Sequence, residues 1–416
     1  MAEGSALGLE RGHATICLPI GEEEYRTIVQ DSKDFRHWLD SCYAEMPELF
    51  PQGFAEGYAM KDARVSRKQG VPIRRITLRD GRSYSIRPSF LMPYMTARTD
   101  DVQAPLFLRK FGVPFWALAR VFGGNPMYWY RMEIALGRNS IVGTTVRRAE
   151  VPQDLLADEH HQTRDGQKNY IATTVGGGCV LGAGLSEGVG TDDLKEAYRV
   201  FQVEAADVEP EYAPESVNTD GWQGTQAAWK LLFPLVAILQ CFLHAWLKIR
   251  DRAKHLGDLF REIGSKVWDA YHAPDRRSFS QRLRGLRGWA GHHLSGPVLE
   301  KVSDLCDKRD LWTIAYDHPN GHRTSNMLDR LMRSMNRYFD DGQHLHGTLA
   351  ACDQHCRAWA LVYNFAPWHA ATAKTNDGWQ SPAERLNRHR YHENWLHNLL
   401  VSASLGGYRN HAPQKP

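Results

Sequence analysis

The stretch ESVNTDGWQGTQAAWKLLFPLVAILQCF, residues 215–242, decides how the chain is expected to fold. ESVNTDGW is predicted as a strand that ends at an acid, Asp220. TQAAWKLLFP has the apolar spacing of a helix, and LVAILQCF is a fully apolar run of the kind found in strands buried on both faces. A strand, a helix and a second strand in this order indicate an α/β domain.

The segments upstream of this stretch extend the same pattern. DLLADEHH is predicted as a short apolar strand ending in acids, and NYIATTVGGG and CVLGAGLS as two further strands with close turns. DDLKEAYRVFQVEA, which follows them, is predicted as a helix. Three strands, a helix, a strand, a helix and a strand form the order of a ribonuclease H-like core. We therefore predict an α/β fold with a ribonuclease H-like mixed sheet flanked by helices.

Charge is distributed unevenly around this core. Residues 61–150 contain 17 basic and 6 acidic residues, whereas residues 151–220 contain 4 basic and 14 acidic ones. A surface for a polyanion is therefore expected beside a cluster of carboxylates suited to holding metal. The predicted segments are an acidic N-terminal helical region (1–60), a basic DNA-binding region (61–150), the first part of the core (151–244), an all-α insertion (245–318), the last catalytic helix (319–345) and a C-terminal helical region (346–416).

The basic region contains a hairpin pattern and three short helical patterns. IRRITLRDGRSYSIRP alternates apolar and polar residues on both sides of an Asp-Gly turn at 80–81. APLFLRKFGVPFWALARVFGGNPMYWYRMEIALGR is predicted as three helices with breaks at 112–114 and 123–125, the layout of a helix-turn-helix. The positive charge favours DNA binding, with Arg120 and Arg131 as contacts. The alternative is a helical linker domain whose aromatic residues only form its core.

Two acids fall where the predicted strands bring them together. Asp158 ends the first predicted strand and Asp220 ends the fourth, and these strands are neighbours in a ribonuclease H-like sheet. Their carboxylates can therefore share a metal ion. Two hard divalent cations, Mg²⁺ with Mn²⁺ as a substitute, would activate an attacking oxygen and stabilise the leaving oxygen of a phosphodiester. Such a site needs a third carboxylate.

The third carboxylate is expected in HRTSNMLDRLMRSMNR, residues 322–337. As a helix, this segment carries Asp329 on a polar face, opposite an apolar stripe that packs on the sheet. Arg323, Arg330 and Arg333 beside it are predicted to bind DNA phosphates. Taken alone, Asp329 is better explained as a first-turn acid that pairs with free helix amides. The ordered set of three acids is what favours the metal site.

Three motifs resemble those of a known family. They are TDGW at 219–222, CFLH at 241–244 and, after a long helical insertion, TSNMLD at 324–329. In this order they resemble the DDE transposases of the Mutator-like and related bacterial insertion-sequence group. The resemblance covers roughly residues 150–340 and implies a ribonuclease H-like catalytic core interrupted by the all-α insertion.

The resemblance implies roles for the residues that match. The implied catalytic and metal-binding acids are Asp158, Asp220 and Asp329. The last acid of the family is usually glutamate, so Asp329 is a departure, and Glu384 in SPAERL is the alternative third acid. Cys241 and His244 match the family's Cys-x-x-His signature, which is expected to brace the core. A zinc site is the other interpretation, but no second pair of ligands follows at zinc-finger spacing.

The function that the resemblance implies is DNA transposition. The chain is expected to bind terminal inverted repeats in double-stranded DNA, cleave them with two Mg²⁺ ions, and join the ends to target DNA as a homodimer or larger assembly. One alternative is a ribonuclease H-like structure-selective nuclease, which would cut without joining. The other is a domesticated DNA-binding protein without catalysis.

Cysteine usage and hydropathy bear on location. The seven cysteines are odd in number and widely scattered, which is typical of a reducing compartment. The longest apolar run, residues 231–247, is interrupted by Pro234, Gln240 and His244, so no membrane span is expected. We predict a cytoplasmic, nucleoid-associated protein.

Overall fold

The described part of the chain, residues 14–340 and 345–409 of a computed structural model, is a mixed α/β protein with two sheets flanked by helices. The first sheet consists of β1 (Thr15–Leu18), β2 (Tyr58–Val65), β3 (Pro72–Leu78) and β4 (Ser83–Pro88). Its order is β1-β4-β3-β2, in which β1 is parallel to β4 and the other neighbours are antiparallel. The predicted hairpin is confirmed, because β3 and β4 pair around the Asp-Gly turn, where Gly81 has a φ of 86°.

Helices cover and follow this sheet. They are α1 (Glu22–Ile28), α2 (Ser32–Glu45), α3 (Thr99–Arg109), α4 (Phe115–Phe122), α5 (Pro126–Ile134) and α6 (Ile141–Thr145). The three predicted helices of the basic region are confirmed as α3, α4 and α5. Asn125 begins α5 by accepting a hydrogen bond from the Met127 amide at 2.8 Å. Whether this part of the chain binds DNA stays a prediction.

The second sheet contains the strands predicted from residues 215–242. Its strands are β5 (Asp154–Arg164), β6 (Gln167–Gly176), β7 (Cys179–Ser186), β8 (Ser216–Thr219) and β9 (Ala237–Gln240), with α7 (Thr191–Val208) before β8 and α8 (Gln223–Leu232) before β9. The sheet order is β7-β6-β5-β8-β9; β5, β6 and β7 are antiparallel neighbours, and β8 is parallel to β5 and β9. The predicted succession of strands and helices along the chain is thus confirmed.

Two strand boundaries differ from the prediction. Asp158 does not end β5 but lies in its middle, because the polar residues that follow continue the ladder with β6 as far as Arg164. The fully apolar run contributes only four residues to β9: Pro234 and Leu235 form the preceding turn, and Phe242 begins the next helix. Leu235 is 94% exposed, so this apolar run is not buried throughout.

Alternate residues of β5 face two different cores. Leu155 and Ala157 pack with α7 and α8, whereas Leu156 packs with two later helices, α14 (Asn326–Asp340) and α15 (Leu349–Phe365). Asp158 therefore points to the same side of the sheet as Leu156, the side that α14 covers. The remaining helices at the end of the chain are α16 (Ala370–Lys374), α17 (Pro382–Asn387) and α18 (Trp395–Ser402).

Five helices between β9 and α14 form a core of their own. They are α9 (Phe242–Ala253), α10 (Asp258–Tyr271), α11 (Arg276–His293), α12 (Gly296–Asp307) and α13 (Arg309–Thr313). Helices are thus present where the all-α insertion was predicted, at residues 245–318. None of the helices in the described ranges has the length and apolar content needed to cross a bilayer.

Two helices from the last part of the described chain, α15 and α18, pack against the first sheet. Residues of α15 and α18 share one core with β1, β3, β4 and α3. Helix α15 also covers the free edge of β7, where the Asn364 side chain accepts from the Val180 amide at 2.8 Å and donates to the Val180 carbonyl at 2.7 Å. All seven cysteines are buried free thiols.

Candidate active site

The parallel register of β5 and β8 relates Asp158 to Asp220. Asp154 pairs with Ser216, Leu155 with Val217 and Leu156 with Asn218, an offset of 62 residues in every pair. Continued by two residues, the same offset sets Asp158 beside Asp220, the residue that follows β8. Burial raises the pKa of Asp158 to about 7, and the Asp220 carboxylate is the next largest cause. The two acids therefore repel each other across neighbouring strands.

The end of β9 connects these acids to helix α14. The Cys241 amide donates to the Thr219 carbonyl at 2.8 Å, so Cys241 lies next to the end of β8. The Ser325 amide in turn donates to Cys241 Sγ at 3.2 Å. Finally, the Ser325 hydroxyl donates to Asp329 Oδ2 at 3.3 Å. This chain of contacts ties the third predicted acid to the strand ends that carry the second.

His244 interacts electrostatically with two of the three acids, Asp158 and Asp329. It stands in the first turn of α9, and its interaction with the Cys241 thiol is the main reason that its pKa rises to about 9. The carboxylates of Asp158 and Asp329 raise it further. Burial opposes ionisation of Cys241, but His244 and Ser325 outweigh burial and lower its pKa. The charge of His244 therefore depends on both Asp158 and Asp329, and whether the Cys-x-x-His pair braces the core stays a prediction.

Helix α14 has the orientation that its sequence predicted. Leu328, Leu331 and Met335 are at most 1% exposed, whereas Arg330 and Arg333 are exposed. A hydrogen bond of 2.8 Å between His160 Nε2 and Asn336 Oδ1 also joins α14 to β5, on the side of the strand that Asp158 faces. The apolar stripe and this bond fix the helix that carries Asp329 on the sheet.

The raised pKa of Asp158 leads to a prediction about stability. Because its pKa is about 7 in the folded protein and 3.8 ordinarily, the folded protein binds the proton more tightly than the unfolded chain. Asp158 thus destabilises the fold increasingly as pH rises from 4 to 7. Asp158→Asn, which stays neutral, should raise the free energy of unfolding at pH 8 without metal by up to about 4 kcal/mol.

Urea unfolding in EDTA at pH 8 and pH 4 measures this effect. At pH 4 the variant and the parent should differ by less than about 1 kcal/mol, because Asp158 is then neutral in the folded protein and only partly ionised in the unfolded chain. An equal difference at the two pH values would contradict the proposed crowding of Asp158 and Asp220.

An aromatic cluster beside Asp220 was not predicted from the sequence. The Trp222 amide donates to Asp220 Oδ1 at 2.8 Å, and the Trp222 ring centroid lies 6.1 Å from that of Tyr170 and 6.5 Å from that of His161. Burial and the Lys168 ammonium lower the pKa of His161, whereas Asp220 raises it. The TDGW motif contains Trp222, but the rings that contact it, His161 and Tyr170, belong to β5 and β6. Their spacing along the chain does not predict this contact.

A fourth acid, Glu159, lies on the opposite side of β5. Its Oε1 accepts hydrogen bonds from the Tyr198 and Thr225 hydroxyls, both at 2.7 Å, which links β5 to α7 and α8. Burial raises its pKa, and those two hydroxyls oppose the rise. Strand alternation places Glu159 on the face of β5 opposite Asp158, where its hydrogen bonds hold β5 against α7 and α8.

The alternative third acid has a different environment. Glu384 is in the first turn of α17, where its side chain accepts from the Gln380 amide at 3.0 Å and lies 3.9 Å from Arg390. Ser381 caps the same helix, so the pair forms a capping arrangement. The charges that act on Glu384 are those of Arg390 and Glu393, not those of the three aspartates.

The predicted DNA-binding arginines fall into two groups. The exposed ones are Arg120 on α4, Arg131 on α5, and Arg330 and Arg333 on α14. Arg323 instead lies between two aromatic rings, with its guanidinium carbon 4.7 Å from the Tyr271 centroid and 4.8 Å from that of Tyr316. Its carbonyl also accepts from the Phe242 amide at 3.0 Å. Through Tyr271 and Phe242, Arg323 connects helices α10 and α9 to the segment that precedes α14.

The donor chemistry at the three aspartates fits a hard divalent cation. Hard cations prefer oxygen ligands, and a bound cation would relieve the repulsion that raises the pKa of Asp158. Within the described residues, however, no three His, Cys, Asp or Glu side chains stand close enough together to hold an ion as they are. Cation binding would therefore need the carboxylates to draw together.

Comparison with models of known protein families gives no match for this chain, and neither does comparison with curated proteins.

Proposed function

We propose that the protein is a DNA transposase that cleaves the ends of its element and joins them to target DNA. The observation that carries this proposal is that Asp158 and Asp220 repel each other across neighbouring strands, while Asp158 and Asp329 both act on the charge of His244. Its strand order, β7-β6-β5-β8-β9, supports a ribonuclease H-like core, because the second acid follows a strand parallel to the one that carries the first.

The residues of the chain have separate tasks in this proposal. Asp158, Asp220 and Asp329 would hold the cations, and Ser325 would orient Asp329 through its hydroxyl. The chemistry supplied by two divalent cations at such carboxylates is activation of the attacking oxygen and stabilisation of the leaving oxygen. Protonated His244, whose pKa the Asp158 and Asp329 carboxylates help to raise, would balance part of their negative charge before cations bind.

Binding of the DNA is assigned to the exposed arginines. Arg330 and Arg333 extend from the same helix as Asp329, so their guanidiniums would hold phosphates next to the acids. Arg120 and Arg131 lie on the second and third of the three consecutive short helices, α3 to α5, that support a helix-turn-helix role. Synapsis of two element ends would require at least a dimer.

The experiment is strand cleavage and joining on a labelled duplex that carries the ends of the encoding element. With Mg²⁺ or Mn²⁺, the proposal expects a free 3′-hydroxyl at the end and its later covalent joining to a target plasmid. Cleavage of any branched duplex without joining would favour the structure-selective nuclease. Tight end binding with neither reaction would favour the non-catalytic DNA-binding protein.

A further inference from the structure

The corner between α4 and α5 exposes several large apolar side chains together. We define the corner patch as Trp116, Val121, Phe122 and Met127, which belong to α4 and to the first turn of α5 and are 66%, 72%, 43% and 50% exposed. Every residue at positions 120–127 is exposed. Single exposed apolar residues are normal on a folded protein, but a group of large ones indicates an interaction surface.

Helical spacing explains why α4 presents an apolar face to solvent. With 3.6 residues per turn, Trp116, Ala117, Arg120 and Val121 fall on one arc of the helix, on the side away from Leu118. Leu118 is 1% exposed and packs into the first core. The arc itself therefore has no partner among the residues that form this core.

The composition of the arc favours a protein partner over DNA. Binding to duplex DNA depends mainly on cationic and hydrogen-bonding side chains that meet phosphates and base edges. Arg120 supplies such a group, whereas Trp116, Ala117 and Val121 are apolar. Removing apolar side chains from water is the main driving force of protein association, so the arc is better suited to another protein surface.

The exposed area is large enough for the centre of a dimer interface. An aromatic side chain has about 150–250 Å² of surface and an aliphatic one roughly 100 Å², so the corner patch exposes roughly 300–400 Å² per copy. A homodimer interface of standard size buries about 800 Å² per partner, of which about 65% is apolar. The corner patch would thus supply more than half of the apolar area that a stable dimer needs.

The arc of α4 is also complementary to itself. In a symmetric dimer each contact occurs twice, so residue i of one copy meets residue j of the other and the reverse. If two copies of α4 cross antiparallel about a two-fold axis at the middle of the helix, Trp116 of each copy lies opposite Arg120 of the other. A guanidinium on the face of an indole ring is a favourable cation–π contact, and the dimer would contain two.

We propose that the corner patch is a homodimer interface, at which two copies of this chain associate through α4 before they meet DNA. The inference deepens the proposed function and rests on it for its purpose, because a preformed dimer would bring two element ends together. Arg120 would then contact the other copy. Of the predicted DNA contacts, Arg131, Arg330 and Arg333 would stay free for DNA.

Sedimentation velocity of the DNA-free protein at micromolar concentrations tests the interface. The parent should sediment as a dimer. Trp116→Ala should weaken association about thirtyfold or more, because a tryptophan at the centre of an interface is a typical hot spot. Val121→Lys should also dissociate the dimer, since it adds a charge of the same sign as Arg120. The last turn of α4 accepts a cation, so this variant should still fold.

Leu235→Lys is the matched control. Leu235 is also highly exposed, but it lies in the turn before β9 and outside the corner patch. This variant should sediment as the parent does. A monomeric parent, or a dimer that persists in both Trp116→Ala and Val121→Lys, would overturn the interface.

Cross-linking tests the same interface without disrupting it. The seven native cysteines are buried, so an introduced surface cysteine is the one that a short bis-maleimide should reach. Ala117→Cys, within the arc, should be joined to the same position of a second copy. Arg277→Cys, on the exposed surface of α11, should not be joined. Equal cross-linking at the two positions would overturn the interface.

These outcomes are separate from those of the proposed function, because they require neither DNA nor catalysis. Absence of the dimer in a protein that cleaves and joins element ends would overturn the interface alone. A dimer that dissociates as expected in the two patch variants, in a protein that neither cleaves nor joins, would instead overturn the proposed function.

Discussion

Asp158→Asn and Asp220→Asn are each expected to reduce strand cleavage by more than about a hundredfold while DNA ends are still bound. Even residues that only orient metal ligands typically contribute 10- to 100-fold, so loss of a ligand itself should exceed that range. Each substitution keeps the size of the side chain and removes its charge. Gel-based cleavage with Mg²⁺, alongside an end-binding titration, measures the two effects separately.

Asp329→Asn belongs in the same series because the sequence left two candidates for the third acid, Asp329 and Glu384. Asparagine can still accept the Ser325 hydrogen bond, so a loss of cleavage would reflect the missing charge and not a displaced helix. Glu384→Gln is the control, and we expect it to cleave normally because Glu384 caps α17. Normal cleavage in Asp329→Asn together with loss in Glu384→Gln would reverse this assignment.

The largest expected effect on stability comes from Glu133→Gln. Glu133 and Arg109 form an ion pair of 2.7 Å in which both side chains are at most 1% exposed. The Tyr338 hydroxyl also donates to Glu133, so the pair connects α3 and α5 to the end of α14. Removing the carboxylate leaves a buried guanidinium without its counter-charge, which typically costs about 3–5 kcal/mol.

The charge state of Glu133 is central to this expectation. Burial favours the neutral acid and raises its pKa, whereas Arg109 opposes that rise. An arginine remains charged in proteins, so a neutral Glu133 would leave Arg109 buried and unpaired. We therefore expect Glu133 to be ionised.

Urea unfolding of Glu133→Gln is compared with that of Glu196→Gln. Glu196 pairs with Arg199 on the surface, where the two side chains are 59% and 58% exposed, and its loss should cost less than about 1 kcal/mol. A free energy of unfolding within 1 kcal/mol of the parent for Glu133→Gln would mean that the buried acid is neutral.

The order of elements could be predicted from the sequence because the period of apolar residues distinguishes strands from helices. The ends of strands could not be predicted as well, because they depend on pairing with other strands. In β5 the residues after Asp158 are largely polar, yet they remain in the strand because the tight turn after Arg164 brings β6 back along them. Strand pairing is a property of two segments, and the composition of one segment does not report it.

Only part of the candidate site could be predicted from the sequence, because most of its contacts join distant segments. Asp158 and Asp220 could be paired because the order of strands sets them side by side. The bridge from Cys241 through Ser325 to Asp329 joins residues more than 80 positions apart and depends on how the insertion folds back. The contacts among His161, Tyr170 and Trp222 depend on the register of β5 with β6, which no local pattern contains.

Mn²⁺ binding is the first test of whether the three aspartates together hold divalent cations. Titration of Mn²⁺ followed by electron paramagnetic resonance counts the bound ions without requiring DNA or activity. We expect the parent protein to bind Mn²⁺, Asp158→Asn and Asp220→Asn to bind it much more weakly, and Glu384→Gln to bind it as the parent does. Equal Mn²⁺ binding by the parent and by a protein lacking all three carboxylates would show that these aspartates are not the metal ligands.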